Sequence, residues 1–264
     1  MNLQRQSFLG AGSETVISAA QVAVIGLCGG GSHVTQQLGH IGFRHLHLVD
    51  HDHADDTNIN RMVGLTAADV RKEEAKTNVI ARNLRAFNPE ARPRLHACRW
   101  QECQSDLKGC AAIFGCVDSY AEREQLERFC RRYNIIYIDV GMDVFGDEGA
   151  YFISGQAIMS LPKHACMRCM GFLTEDLLAQ EAAEYGNAGA KPQVVWPNGT
   201  LASAAVGLLM GVITPWNAQM VPPPYLEYDG NRSTLTPSRR LHYIKEERCP
   251  HFQDATALGD VFWT

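Results

Sequence analysis

Gln21-Val-Ala-Val-Ile-Gly26 is a short β-branched run that ends in glycine, and His45-Leu-His-Leu-Val-Asp50 is a second that ends in an acid. Between them Gly26-Leu-Cys-Gly-Gly-Gly-Ser32 supplies a turn, and Ser32 to His40 a helical stretch, so the segment reads as a βαβ unit with parallel strands. Glycines at Gly26, Gly29, Gly30 and Gly31 let the backbone approach a phosphate, while the helix N-terminus offers unpaired N–H groups and the positive end of its dipole. Asp50 and Asp52 close the second strand, where an acid accepts hydrogen bonds from ribose hydroxyls. These features indicate a nucleotide without saying which; the plainer alternative is a tight turn used for packing. Cys28 stands where a dinucleotide fingerprint has its second glycine. A side chain there crowds a pyrophosphate, which weighs against NAD or FAD.

Strand and helix go on alternating outward from this unit. Thr66 and Asp69 have the spacing of a capping box, and Ala75, Val79, Ile80, Leu84 and Phe87 then recur at helical spacing up to Asn88-Pro89, predicting a second crossover helix. Arg94 to Cys98 and Ala111 to Val117 read as strands, Tyr120 to Tyr133 as an amphipathic helix, and Ile135 to Val140 as a further strand. Past about residue 145 the character changes. Ala150 to Leu161 looks extended, Thr174 to Tyr185 is an acidic helix, and Pro192 to Asn198 is an irregular connection. Tyr225 to Asp229 and Thr234 to His242 suggest a hairpin turned by Gly230-Asn231. The expected fold is α/β: a Rossmann-like, mostly parallel sheet flanked by helices, with a C-terminal mixed or antiparallel extension. Residues 1–145 form a nucleotide-binding half and 146–264 a second half of one domain.

Composition bounds the function. The 264 residues, 45% hydrophobic and 20% charged, can bury a sizeable core and are not those of a disordered chain. Twenty-four Lys and Arg against 29 Asp and Glu give a formal charge of −5, so the overall field does not attract nucleic acid. The apolar run from Leu201 to Ile213 is shorter than the roughly 20 residues a bilayer requires, and reads as a buried helix rather than a membrane span. The N-terminus lacks an apolar signal region, so a cytoplasmic location is expected. Nine cysteines on such a chain suggest metal or chemistry more than disulfides.

Asn58 and Arg61 follow Asp50 closely, and Lys76 lies near the start of the next helix. Each cation alone would commonly be a solvated surface charge. Gathered behind the second strand, they suit a site that stabilises charge on a triphosphate more than one that transfers hydride. Asp118 sits just past a buried strand, on the rim where parallel sheets bind ligands, and faces a triphosphate as a natural Mg²⁺ ligand. The alternative is that it caps the helix from Ser119.

Taken in order, these motifs resemble the adenylating family of ThiF, MoeB and the adenylation domains of ubiquitin-activating enzymes. The likeness covers nearly the whole chain, beginning with Arg5-Gln6. It implies ATP-dependent adenylation of the C-terminal glycine of a ubiquitin-like or sulfur-carrier protein. Asp50 would hold the ribose, Asn58, Arg61 and Lys76 the phosphates, and Asp118 the Mg²⁺. Arg5 would reach the triphosphate of the partner subunit in a homodimer. Cys166-Met-Arg-Cys169 has the spacing that lets two thiolates share one tetrahedral ion. Relatives complete a structural zinc site with a second Cys-x-x-Cys. Here Cys249-Pro-His-Phe252 leads us to expect Cys166, Cys169, Cys249 and His251 as Zn²⁺ ligands, against a metal-free remnant. Pro192 to Thr200 contains no cysteine, so the acyl group would pass directly to an external thiol of a conjugating enzyme or sulfur donor, in cofactor sulfuration or in conjugation such as bacteria direct against phage. The rival readings are a nucleotide-binding scaffold without turnover and an NAD-dependent oxidoreductase.

Overall fold

A computed structural model describes residues 3–183, 192–244 and 249–252. Helix α1 (Ser13–Ala19) leads into β1 (Gln21–Ile25), α2 (Gly29–Ile41) and β2 (His45–Val49). Then come α3 (Ala67–Arg71), α4 (Lys76–Phe87), β3 (Arg94–His96), α5 (Gln104–Leu107), β4 (Ala112–Gly115), α6 (Tyr120–Arg132) and β5 (Ile136–Phe145). The later elements are β6 (Phe152–Ser160), α7 (Glu175–Ala183), α8 (Val195–Ile213), β7 (Tyr225–Asp229) and β8 (Thr234–Pro237). All eight strands form one sheet in the order β3-β2-β1-β4-β5-β6-β7-β8. From β3 to β5 the neighbours are parallel, and from β5 to β8 antiparallel.

Past their exposed first residues the run of β1 is continuously apolar and that of β2 is broken only by the buried His47, and β4 is apolar throughout, because both faces of the sheet are covered. Val22, Val24, Leu46, Leu48 and Phe114 point into one core with Leu38, Leu84 and Leu209 of α2, α4 and α8. Ala23, Ile25, Val49 and Ile113 point into the other, with Leu107 of α5 and Leu126 and Phe129 of α6. The two halves expected from the sequence share this sheet. β5 pairs with β6 from Tyr137↔Ser160 to Phe145↔Phe152, across residue 145.

Three local readings change. The capping box of Thr66 and Asp69 is formed, but it opens the short α3 rather than the second crossover helix. That crossover, α4, starts at Lys76 with no side-chain cap, after the chain turns through Glu73 at φ 48°. Pro192 to Asn198 is not wholly irregular, since α8 begins at Val195 and Pro197 lies in its first turn. Proline is tolerated there because first-turn N–H groups have no intrahelical partner to lose. Finally, β8 stops at Pro237 and a 3-10 turn covers Arg239–Tyr243, where the expected strand continued to His242. Of the expected helix from Thr174, Tyr185 lies outside the described residues.

Beneath α5, His47 is 1% exposed and its Nδ1 lies 3.1 Å from His96 Nε2, the two rings stacked. Burial, with His96 and Arg94 close by, pushes the His47 imidazole down to about 4. The folded state therefore holds it neutral while the unfolded chain protonates it near 6.5, and stability falls as pH drops from about 6.5 to about 4. We expect this residue to supply up to about 3 kcal/mol of that loss. Urea titrations at pH 7 and pH 5 should show a markedly smaller pH dependence in His47→Gln than in the wild type; an unchanged dependence would show that His47 does not titrate in this way.

Candidate active site

A cavity of about 390 Å³ opens at the carboxyl ends of β1, β2, β4 and β5. Its floor is the turn from β1 into α2, and the glycines there are required for different reasons. Gly26 has φ +82°, and a Cβ on it would strike the Cys116 carbonyl. A Cβ on Gly31 would collide with the Gly26 carbonyl, so this glycine lets α2 pack against the end of β1. A Cβ on Gly29 would lie 2.5 Å from the Asn198 amide. Gly30 differs. The nearest atoms to a Cβ there are 3.6 Å away, ordinary contact, so the protein itself leaves that space open toward the cavity. Cys28 is the N-cap of α2 at φ −77°, a conformation that does not require glycine, and its side chain makes no capping hydrogen bond. The first N–H groups of α2 thus remain available to an anion.

Asp50 locks this turn. Its Oδ2 accepts from the Leu27 N–H at 2.7 Å and its Oδ1 from the Asp52 N–H at 2.9 Å. Immediately afterwards the chain is stitched to the entry of α4: Ala54 N–H donates to the Glu74 carbonyl, Lys76 N–H donates to the Asp52 carbonyl, and His53 bridges to Ala75. This places Lys76, 5% exposed, with its Nζ 2.8 Å from Asp52 Oδ2. Burial works against the Lys76 charge, but Asp50 and the bond to Asp52 outweigh it, and its pKa is raised. It stays an ammonium. Burial raises the Cys28 thiol despite the pull of Lys76 and Arg61, so Cys28 stays protonated.

Asn58 and Arg61 reach the cavity from the loop after β2, in a turn capped by Asp55 and anchored by the buried Met62. Arg61 donates through one guanidinium NH group to the Thr57 carbonyl at 2.5 Å. Arg61 Nε and Asn58 Oδ1, both buried, have no hydrogen-bond partner among the described residues. Asp118 is exposed on the opposite rim, 3.3 Å from Gln193 Nε2. It is not the cap of α6. Ser119 is, accepting from Glu122 N–H, while Glu181 accepts from the Tyr120 and Ala121 N–H groups at 2.8 Å.

The structure thus brings Gly26, Gly29, Gly30, Asp50, Asp52, Asn58, Arg61, Lys76 and Asp118 to one cavity. Gly31 lies behind it as packing. Arg5 does not line it; its neighbour Gln6 bonds the Ile41 carbonyl at the far end of α2, about 18 Å along the helix from the glycine turn. Two groups escaped sequence reading. Cys98, Arg99, Trp100 and Glu122 close the cavity beyond Asp50, and Asn198 faces the glycine turn from α8. An amide in the first turn of a mostly apolar helix was the available signal for Asn198.

On the other face of the sheet, Cys166, Cys169, Cys249 and His251 converge. Cys169 Sγ lies 3.6 Å from the sulfurs of Cys166 and Cys249, and His251 Nδ1 lies 3.4, 3.4 and 3.9 Å from those of Cys166, Cys169 and Cys249. A tetrahedron with Zn–S bonds of about 2.3 Å has edges of about 3.8 Å, so this donor set and spacing could hold such an ion. Phe252 is occupied otherwise, with the Arg131 guanidinium 5.5 Å from its ring centre.

The ThiF family profile matches residues 1–251. This chain belongs to the ThiF family. It is 29% identical over 203 residues to the sulfur carrier protein ThiS adenylyltransferase of Escherichia coli, covering 74% of each chain. It is 30% identical over 125 residues to the tRNA threonylcarbamoyladenosine dehydratase of Haemophilus influenzae, covering 46% of this chain and 47% of that one. The NEDD8-activating enzyme E1 catalytic subunit of Dictyostelium discoideum is 27% identical over 158 residues, 56% of this chain and 35% of its own. The chain thus spans less than half the length of the last two. The crystal structure of Escherichia coli MccB with MccA superposes with a TM-score of 0.72 at 18% identity, covering 96% of this chain and 71% of that one. This likeness establishes the shared α/β fold, with its parallel and antiparallel strands.

The contrast between adjacent glycines is testable. Gly30→Ala should melt close to the wild type yet bind ATP at least 10-fold more weakly, because the added methyl enters only the cavity. Gly31→Ala should fail to fold or lose several degrees of Tm, because its methyl meets backbone. Calorimetric ATP titration and thermal melting read the two effects separately; equal ATP affinity in Gly30→Ala and wild type would show that Gly30 does not border a bound nucleotide.

Proposed function

We propose that this chain is an ATP-dependent adenylyltransferase that activates the C-terminal carboxylate of a small ubiquitin-fold or sulfur-carrier protein as its AMP ester. The observation that carries the reading is a pair of buried polar atoms without protein partners, Asn58 Oδ1 and Arg61 Nε, in the cavity that also holds the Lys76 ammonium. Buried polar atoms cost free energy unless something bonds them. A nucleotide beside the open N–H groups of α2 supplies both partners, a phosphoryl oxygen that accepts from Arg61 Nε–H and a ribose hydroxyl that donates to Asn58 Oδ1. Asp50 faces the ribose, and Arg61 and Lys76 balance the phosphates. The carboxylate attacks the α-phosphorus, the bond to pyrophosphate breaks, and the protein contributes orientation and positive charge rather than a proton relay. Asp118, relieved of capping by Ser119, would hold Mg²⁺, which supplies neutralisation of the triphosphate when bound.

The acceptor is an external thiol, such as that of a conjugating enzyme or sulfur donor. Burial raises the pKa of Cys28 and Cys116, two of the three thiols that line the cavity, so neither of these two is poised as the thiolate nucleophile. Arg5, a helix length from its own glycine turn, is read as completing the site of a second subunit in a homodimer. Cys166, Cys169, Cys249 and His251 are read as a structural Zn²⁺ site, four protein ligands leaving no open position. Helix α8 is the one described helix long and apolar enough to cross a membrane. Its packing against α2 and the sheet makes it a core helix in this reading, and the enzyme a cytoplasmic one without a membrane or nucleic-acid partner.

ATP–pyrophosphate exchange with candidate carrier proteins tests the reaction. Asp118→Ala should keep its fold and lose about 10²–10³ of the exchange rate, as for removal of an electrostatic stabiliser. Mixed Arg5→Ala and Lys76→Ala subunits should regain activity above either alone. Exchange at wild-type rate in Asp118→Ala would overturn its assignment, and verified subunit exchange without recovery would overturn the role of Arg5. Metal analysis should find about one zinc per chain, with His251→Ala lowering zinc content and Tm together. Full zinc retention in that variant would mean that His251 is not the fourth ligand.

A further inference from the structure

Arg123, near the start of α6, is a charged side chain inside the protein that the reaction above has not used. Only 6% of the residue is exposed, and its guanidinium spans two acceptors at once. One NH group donates to the Asp139 carboxylate at 2.7 Å and the other to the Val117 carbonyl at 2.6 Å. Asp139 is fully buried in β5 and is itself fixed, accepting from Gln156 Nε2 at 3.0 Å and from the Tyr137 hydroxyl at 3.2 Å.

Stability alone does not account for this pair. Taking two charges out of water costs about as much as their attraction returns, and apolar side chains of similar size commonly serve as well or better. What the guanidinium supplies is a connection. β4 pairs with β5 up to Gly115↔Asp139, and the chain then leaves the sheet to reach Asp118 and the Ser119 cap of α6. Arg123 ties that stretch back to β5 through the peptide unit that joins Val117 to Asp118. A planar, forked cation suits the task, since it bonds both acceptors in one fixed geometry. Gly141 leaves room for it, because a Cβ there would collide with the guanidinium. Val117, Asp118 and Gly141 all line the nucleotide cavity.

We propose, on the reading of Asp118 as the Mg²⁺ ligand, that Arg123 is a positioning residue of this site. Anchored by Asp139, it holds the Val117–Asp118 peptide so that the Asp118 carboxylate stands at the cavity rim, where a divalent cation on the triphosphate would meet it. Arg123 acts through that peptide and has no need to touch the nucleotide. On an untethered connection the same aspartate would reach the cation only after the backbone was ordered, and each residue fixed costs conformational entropy.

Arg123→Met combined with Asp139→Asn removes both charges together and keeps an amide for Gln156 and Tyr137, so the double variant should fold with a Tm close to that of the wild type. Mn²⁺ binding to the protein saturated with the α,β-methylene analogue of ATP can be followed by electron paramagnetic resonance. In the double variant it should weaken about 10-fold, the low end of what losing a metal ligand's supporting partner costs. Asp118→Ala should weaken it at least as much. Arg123→Lys, which keeps the charge but not the fork, should fall between the wild type and the double variant, and it serves for the measurement if the double variant does not fold. A pair that only stabilises the protein would change Tm and leave the Mn²⁺ affinity of the folded variants at the wild-type value, and that result would overturn the proposal. Wild-type Mn²⁺ affinity in Asp118→Ala would instead remove the metal reading. A crystal structure of the double variant or of Arg123→Lys would then decide the role of Arg123, which stands if the Val117–Asp118 peptide has shifted and falls if it has not.

Discussion

The bond between the Asp50 carboxylate and the Leu27 N–H is the contact on which the site depends. It joins the end of β2 to the turn that leaves β1, two points 23 residues apart in the chain. A buried hydrogen bond to a charged acceptor contributes about 1.5–3 kcal/mol, and here it also decides geometry. With Oδ2 on Leu27 and Oδ1 on the Asp52 N–H, the carboxylate can take only one orientation, and the glycine turn is held open beside it. The Asp52 it positions then receives the Lys76 ammonium. One acid thus sets the floor of the cavity and, through backbone, its main cation.

Balancing charge explains why the cationic wall is stable before any ligand arrives. Lys76 is buried, and an isolated ammonium there would tend to lose its proton. Asp50 and Asp52 keep it charged, and the bonds from residues 52–54 to 74–76 hold it in place. Arg61 is held more loosely, by the Thr57 carbonyl and Asn60, which leaves its Nε unpartnered. The division follows the two roles: a fixed point charge, and a guanidinium with capacity to spare.

Helix α6 ties the cavity to the cysteine cluster on the far side of the sheet. At its start, Arg123 donates to the Val117 carbonyl next to Asp118 and pairs with the buried Asp139 of β5. Nearer its end, Glu127 accepts from the Met167 N–H inside the Cys166–Cys169 turn, and Arg131 donates to the His164 and Ala165 carbonyls before it. Without these buried partners the turn carrying two of the four clustered cysteine and histidine side chains would have no fixed relation to the sheet.

Sequence by itself determined the elements whose chemistry is local. Short apolar runs mark β1, β2 and β4, the glycine turn can be read from Gly26 to Gly31 by its place between strand and helix, and the Cys166–Cys169 spacing suits two thiolates on one ion. The cluster of Asp50, Asn58, Arg61, Lys76 and Asp118 was also legible, since parallel strands deliver their ends to a common edge. What the tertiary structure decided depends on contacts between distant segments. Ser119 rather than Asp118 caps α6 because Glu181 of α7 also reaches that helix end. The capping box at Thr66 serves α3, since the chain turns at Glu73 to pair with the segment after β2. Cys28 is tolerated because the N-cap position takes a negative φ. Asn198 lies against the glycine turn only because α8 packs on α2, a neighbour more than 150 residues away whose position no local pattern encodes.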